Sequence, residues 1–306
     1  MATIFMLHRV HDFEKNKLPV NENMKITPKF LESFIVELKS EGYSFISLDR
    51  LHEILQNNET VEKQAVFTLD DGYKDNYDYA YPIFKKYKIP FTIYITTSFP
   101  EKNAILWWYE IEDLIMKHDE IILSNNAKYT CKSIEQKTKA FLEIRALIIS
   151  LQQKNLLSQL NNLFDNYDVD WAGKCYELTM NWAQIKELSK DEMVTIASHT
   201  THHYALRQLD DDECKSEIKE ANKLIELRIG GKVEHFAYPF GGVNEVGTRE
   251  FNLIKSLGLK TAVTTRVGGI YPEHKDFPEL LPRIMLTEDF KVRDVGRVRR
   301  KRVAVL

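Results

Sequence analysis

The sequence predicts an α/β chain built on a parallel sheet with helical crossovers, open or closed into a barrel. Three observations carry that expectation. Short β-branched or aromatic runs alternate with amphipathic helical patterns along most of the 306 residues. The polar clusters with chemical potential follow directly after apolar runs, at the carboxyl ends of strands, where parallel sheets gather functional side chains. One long interval, Trp107 to Leu188, breaks the rhythm with helical patterns alone.

The predicted strands are Thr3–Leu7, Ser44–Ser47, Ala65–Leu69, Phe91–Thr96, Met193–Ala197, Glu234–Ala237, Lys260–Thr264 and Leu281–Leu286. Between the first two, Thr27-Pro28 is a cap and first-turn signal. Phe30, Phe34, Ile35 and Leu38 then share one helical face until Gly42 stops the helix. From Asp210 the same device recurs, with Ile218, Ala221, Leu224, Ile225 and Ile229 as the stripe and Gly230-Gly231 as the stop. The Trp107–Leu188 interval, with its longest helical pattern over Lys139–Leu163, shows no strand pattern. It reads as a helical insertion at about 105–180 within a single domain spanning 1–306, not as a domain of its own. No internal repeat or low-complexity segment is present.

Composition bounds the function. Hydrophobic residues make up 43% and charged residues 28%, which excludes a disordered or collagen-like chain. Cys131, Cys175 and Cys214 are few and far apart, so they form neither a disulfide framework nor a thiolate metal site. No apolar run reaches the roughly 18 residues that cross a bilayer, and Met1–Val10 lacks the form of a signal peptide. The expected location is the cytoplasm. The net charge of -3 is unevenly spread: residues 291–306 hold seven basic side chains against Asp294, a tail of +6 on a body of -9. Such a body excludes general nucleic-acid binding. The tail suits either a solvated terminus or peripheral contact with an anionic inner membrane face.

Three segments carry chemistry. Phe67-Thr68-Leu69-Asp70-Asp71-Gly72 ends a buried strand in two carboxylates and a turn-forming glycine. One carboxylate can grip a cation while the other acts as base, and either can equally cap the next helix. Ser198-His199-Thr200-Thr201-His202-His203 puts three histidines in five residues. One helical turn would bring His199 and His203 to the same side, and His202 can replace His203 in principle. Two imidazoles and a carboxylate suit zinc, cobalt, nickel or iron(II) with positions left open. Phe236-Ala237-Tyr238-Pro239-Phe240-Gly241-Gly242 forms a Pro/Gly loop whose N–H groups suit an oxyanion, although most such loops are plain turns.

In that order, FTLDDG, SHTTHH and FAYPFGG resemble the first three motifs of the polysaccharide deacetylases, the NodB-homology or carbohydrate esterase 4 group. Flanking stretches such as ITPKFLESFIVELKSEGYSFISLDRL, NWAQIKELSKDEMVTIASHT and LPRI are similar too, and the resemblance covers roughly 1–100 and 181–290. It implies a distorted (β/α) barrel and metal-dependent removal of an N-acetyl, or another N-acyl, group from an amino sugar. Position by position, Asp71, His199 and His203 match the metal ligands, for Zn2+ or alternatively Co2+ or Ni2+. Asp70 matches the general base and the Phe240 N–H an oxyanion donor.

Two departures stand out. Ala237 occupies the position where many members carry an arginine that steadies the base, and Arg283 in Leu281-Pro282-Arg283-Ile284 resembles the arginine of other branches. The usual final histidine motif is missing, and His235 and His274 do not fit its context. Phe5-Met6-Leu7-His8-Arg9 instead resembles circularly permuted members in which the acid histidine comes first, assigning His8 as general acid. Trp107, Trp108 and Tyr109 serve either as a sugar-stacking wall or as core. The expected substrate is a nucleotide-linked, lipid-linked or polymeric N-acetylated amino sugar of surface-polysaccharide synthesis. The competing expectations are a non-catalytic glycan- or precursor-binding protein of an envelope complex and an iron(II) oxygenase, whose ligands usually come from a double-stranded β-helix.

Overall fold

A computed structural model describes residues 1–298 of the chain. The part of the predicted basic tail at Arg299, Arg300, Lys301 and Arg302 lies outside the described residues. Seven parallel strands close into a barrel: β1 (Ala2–Leu7), β2 (Gln64–Leu69), β3 (Phe91–Ile95), β4 (Val194–Ser198), β5 (His235–Ala237), β6 (Thr261–Val267) and β7 (Leu281–Met285). Each strand pairs with the next in sequence. β1 closes the ring by pairing β7 at Phe5–Ile284 and Met6–Met285. All eight predicted strands are present. The eighth, Ser44–Phe45, extends the sheet beside the first residues of β2, below the point where β3 takes over.

The barrel is distorted in identifiable places. The β4–β5 pairing is reduced to Ser198–Phe236, and the β6–β7 register shifts between Val263 and Val267. Period-two alternation sorts the side chains: Ile4, Val66, Tyr94, Ala197, Ala237, Val263 and Leu281 share an apolar cluster, while Phe5, Leu7, Phe67 and Leu69 meet the helices. The helix Pro28–Ser40 is capped by Thr27, whose Oγ1 accepts from the Phe30 N–H at 3.1 Å. It buries Leu31, Phe34, Ile35 and Leu38 on this outer core, each a gain of about 1.5–3 kcal/mol. The helix Asp211–Ile229 likewise runs from a capping box at Asp210 and Glu213 to a left-handed Gly230.

The connection from β3 to β4 holds five α-helices (Trp107–Lys117, Ile134–Ser150, Leu156–Leu163, Gly173–Leu178 and Trp182–Leu188). Two expectations are corrected there. A β-hairpin, Glu120–Ile122 against Lys128–Thr130, stands where no strand was predicted. The helix predicted over Lys139–Leu163 begins earlier, at Ile134, and breaks after Ser150. There the Gln153 amide donates to the carbonyls of Ile148 and Leu151 at 3.2 and 2.8 Å and satisfies the helix end. Trp107, Ile111, Phe141, Ile144 and Phe164 give this connection its own cluster, which reaches Leu18 and packs against Phe240. The start of the basic tail is not solvated throughout: Val292 and Val295, in the helix Val292–Val298, are buried on the outer core.

Candidate active site

Every residue assigned a role in the sequence lines one cavity of about 450 Å3 at the carboxyl ends of the strands, except Arg283, which lies beneath it. β2 delivers Asp70 and Asp71. Asp70 continues the ladder, its N–H donating to the Leu7 carbonyl at 3.0 Å. Asp71 then adopts φ 75° and Gly72 φ 89°, a left-handed pair that costs the aspartate conformational energy and turns its carboxylate across the barrel mouth.

The histidines come from the loop after β4. The helical turn expected to pair them is absent, because Thr200 and His203 both take left-handed conformations (φ 68° and 59°) in an irregular loop. The pair is nonetheless His199 and His203. Their Nε2 atoms lie 3.4 and 3.3 Å from Asp71 Oδ1, and the three ligand atoms fall within 4.8 Å of one another. His202 is turned away: its N–H and Nδ1 meet Glu217 at 2.9 and 2.5 Å, and the Thr201 N–H meets the same carboxylate at 3.2 Å. Glu217 thus pins the loop from the helix Asp211–Ile229. The sequence offered no signal for it beyond one acid among many on that helix.

These groups fit a divalent cation. Asp71 Oδ1 is buried without a hydrogen-bond partner although two imidazoles approach it, so three electron pairs converge on one point. His199 Nδ1 is engaged with the Ala237 carbonyl at 2.7 Å, which holds Nε2 toward the site as a ligating tautomer requires. Burial pushes the His203 imidazole down to about 4, leaving it neutral for coordination. Burial opposes charge on His199 as well, but its contact with Asp71 overrides this and raises it. Burial would raise the Asp71 carboxyl, and the two imidazoles outweigh that and hold it low.

Arg283, on β7, is fully buried and its guanidinium grips Asp70 bidentately, Nη1 to Oδ1 at 2.7 Å and Nη2 to Oδ2 at 2.6 Å. Two further donors reach the Thr264 carbonyl at 2.9 Å and Thr68 Oγ1 at 3.2 Å. Burial alone would raise the Asp70 carboxyl, but the guanidinium prevails and keeps it below its ordinary value. His8, at the end of β1, faces the same carboxylate, Nε2 to Oδ2 at 3.9 Å. Burial lowers its imidazole despite the neighbouring carboxylates.

Phe240 (φ 60°) lies opposite, its ring centroid 4.8 Å from that of His203. Gly241 (φ 57°) is required there, since a Cβ would stand 2.7 Å from the Thr265 nitrogen. Trp108 closes the third side, its ring 5.5 Å from His203 and its Nε1 donating to Tyr73 Oη at 3.2 Å. Trp107 and Tyr109 line the cavity and are buried, so stacking wall and core are here the same surface. Arg145 also lines the cavity, and no sequence motif had singled it out. His235 sits at the start of β5, away from these groups, paired with Asp49 at 3.2 Å. His274 caps the Tyr271 N–H at 3.0 Å.

A parallel barrel bearing this constellation defines the class, and the comparisons name it. The family model for polysaccharide deacetylase matches residues 57–262, more than half of the chain. The chain belongs to the polysaccharide deacetylase family. A putative polysaccharide deacetylase of Bacillus subtilis (strain 168), YxkH, is 30% identical over 146 residues, 47% of this chain and 47% of that protein. The match therefore spans about half the length of that relative. The deacetylase PplD of Streptococcus pyogenes, solved in complex with acetate, superposes with a TM-score of 0.65 over 97% of both chains at 19% identity. IcaB of Ammonifex degensii gives 0.59 at 17% identity over 97% of this chain and 94% of its own. At such identities the structures confirm the fold. The family span contains Asp70, Asp71, His199, His203 and Phe240, and leaves His8 and Arg283 outside.

Proposed function

We propose that the chain is a metal-dependent hydrolase that removes an N-acetyl, or another N-acyl, group from an amino sugar in a glycan or a surface-polysaccharide precursor. The observation that carries this reading is one cavity holding the Asp71–His199–His203 cluster beside an aspartate already clamped by a buried arginine. The family membership supports an acetylated carbohydrate as substrate. A parallel barrel supplies the ligands, which counts against the oxygenase alternative.

Asp71, His199 and His203 would hold the divalent ion, with zinc the best match to two imidazoles and a carboxylate and cobalt or nickel as substitutes. When bound, such an ion supplies a Lewis acid for the acyl carbonyl and makes the attacking water more acidic. Asp70 is the base: Arg283 keeps it ionised and fixes its plane, and it takes the proton of the attacking water. The Phe240 N–H serves the oxyanion of the tetrahedral intermediate. His8, held neutral by burial, faces Asp70 Oδ2. The proton Asp70 receives can therefore pass to His8 and on to the departing nitrogen, leaving acetate and a free amine. In this relay His8 has the role of the acid histidine in the permuted branch.

The test pairs metal content with acetate release from acetylated amino sugars. Asp70→Asn should retain the metal and lose about 100-fold or more in turnover, the usual worth of a general base. His199→Ala should lose both. Full activity in Asp70→Asn would sink the mechanism, and a metal-loaded wild-type chain that releases no acetate would favour the binding-only alternative.

A further inference from the structure

Arg145 stands apart among the cations near the cavity. Arg283 is committed to Asp70 and Arg9 to Asp75, at 2.6 Å from Nε. Arg145, carried into the cavity wall by the helix Ile134–Ser150, has no hydrogen bond or ion pair among the described residues. Its guanidinium carbon lies 5.6 Å from the Phe240 ring centroid, and that ring touches His203. The nearest acid to influence it is Glu245, and only at longer range than an ion pair. Burial opposes its charge, yet an arginine side chain stays protonated. A half-buried guanidinium without a counter-ion is a cost to the free protein that an incoming anion removes.

The surroundings say what kind of molecule brings that anion. Trp108, half-buried in the same cavity and backed by the buried Trp107 and Phe141, offers an apolar face on which a sugar ring can lie. The Phe240 ring neighbours both groups, 5.6 Å from the guanidinium carbon and 4.8 Å from the His203 ring, so the guanidinium lies within reach of a substituent on the reacting sugar or its neighbour. We propose that Arg145 selects substrates by pairing with an oxyanion, a phosphate or a carboxylate, carried by the N-acylated amino sugar. This rests on the deacylase reading and narrows it to anionic sugars, since a planar guanidinium matches either oxyanion bidentately.

The test measures binding and turnover together. N-acetylglucosamine, N-acetylglucosamine 1-phosphate and N-acetylmuramic acid are titrated into the metal-loaded wild-type, Arg145→Gln and Arg145→Lys chains, with melting curves to verify folding. The wild type should bind at least one charged sugar more tightly than the neutral one, and which of the two separates phosphate from carboxylate as the source. Arg145→Gln should lose about ten- to hundredfold of that affinity, the worth of a charge-assisted hydrogen-bonded pair. It should change the neutral sugar by a few-fold at most, and Arg145→Lys should recover part of the loss. Absence of binding by both charged sugars, no preference for either, or an equal loss for charged and neutral sugars overturns the proposal. Acetate is assayed in the same samples. An Arg145-dependent preference without acetate release would refute the deacylase reading alone, and release indifferent to Arg145 would refute this inference alone.

Discussion

Replacing Arg283 with methionine isolates the interaction on which the proposed base depends. The guanidinium makes two charge-assisted bonds to Asp70 and two more to Thr264 and Thr68, all out of contact with water. Methionine fills much of the same volume but leaves a buried carboxylate unpaired, a change that costs about 3–5 kcal/mol. The pH dependence identifies the cause. In the wild type the Asp70 carboxyl sits below its ordinary value, so its contribution to stability is present above that value and is lost as pH falls through the depressed one. In Arg283→Met burial, the largest influence, is opposed only by the weaker pull of His199 and His8, and the carboxyl is expected to rise. The variant should thus be weakest relative to wild type at pH 7 and close much of the gap toward pH 4, where Asp70 becomes neutral. Urea unfolding of both chains at several pH values gives the difference directly, because the site histidines titrate in both. The double variant Asp70→Asn/Arg283→Met, with no charge left to strand, should be more stable at pH 7 than Arg283→Met alone. A destabilisation below about 1 kcal/mol at pH 7, or one equal at pH 4 and pH 7, would refute the reasoning.

Two further outcomes are expected. His199, raised by Asp71, must give up its proton when a metal binds, whereas His203, lowered to about 4, has none to give at neutral pH. Zinc affinity should therefore climb with pH below the His199 transition, with about one proton released per ion, measured by calorimetry in buffers of different ionisation heat; no proton release near pH 6 would contradict this. Glu217→Ala should lower zinc affinity about 10- to 100-fold by freeing the Thr201–His202 loop, and unchanged affinity in a metal titration would show that the loop holds itself.

The seven barrel strands were legible because they are short, largely buried runs rich in β-branched or aromatic residues, a pattern that survives distortion of the barrel. The grouping of Asp71, His199 and His203 was legible for a less sound reason. Four-residue spacing suggested a helical turn, whereas left-handed Thr200 and His203 do the turning, a conformation no composition signal marks in threonine or histidine. The hairpin at 120–130 escaped notice because its strands have three residues each and alternate through Glu120, Lys128 and Thr130 on an exposed face. The helix break after Ser150 has neither proline nor glycine, only the side chain of Gln153 bending back to the carbonyls. Arg145 escaped because its significance depends on Phe240, which reaches it from another part of the chain.

His8 and Arg283 show why order along the chain and neighbourhood in space have to be argued separately. They stand at opposite ends of the sequence and outside the matched family span, yet both face Asp70. Closure accounts for this. β1 pairs with β2 on one side and β7 on the other, so His8 follows the strand next to β2, while Arg283, in the middle of β7, stands one strand further round the ring and reaches Asp70 through the barrel interior. In an open sheet the first and last strands would be opposite edges, and β7 would lie far from β2 instead of one strand away. In a ring, the place where the chain begins does not decide which side chains share the mouth. The small Ala237 belongs to the same interior and cannot reach Asp70 with a charge, so the arginine has to come from another strand; Arg283, through the barrel interior, does so with four of its five N–H donors engaged. The proposed permutation of the acid histidine and the relocation of the base-steadying arginine are thus two uses of the same closed ring.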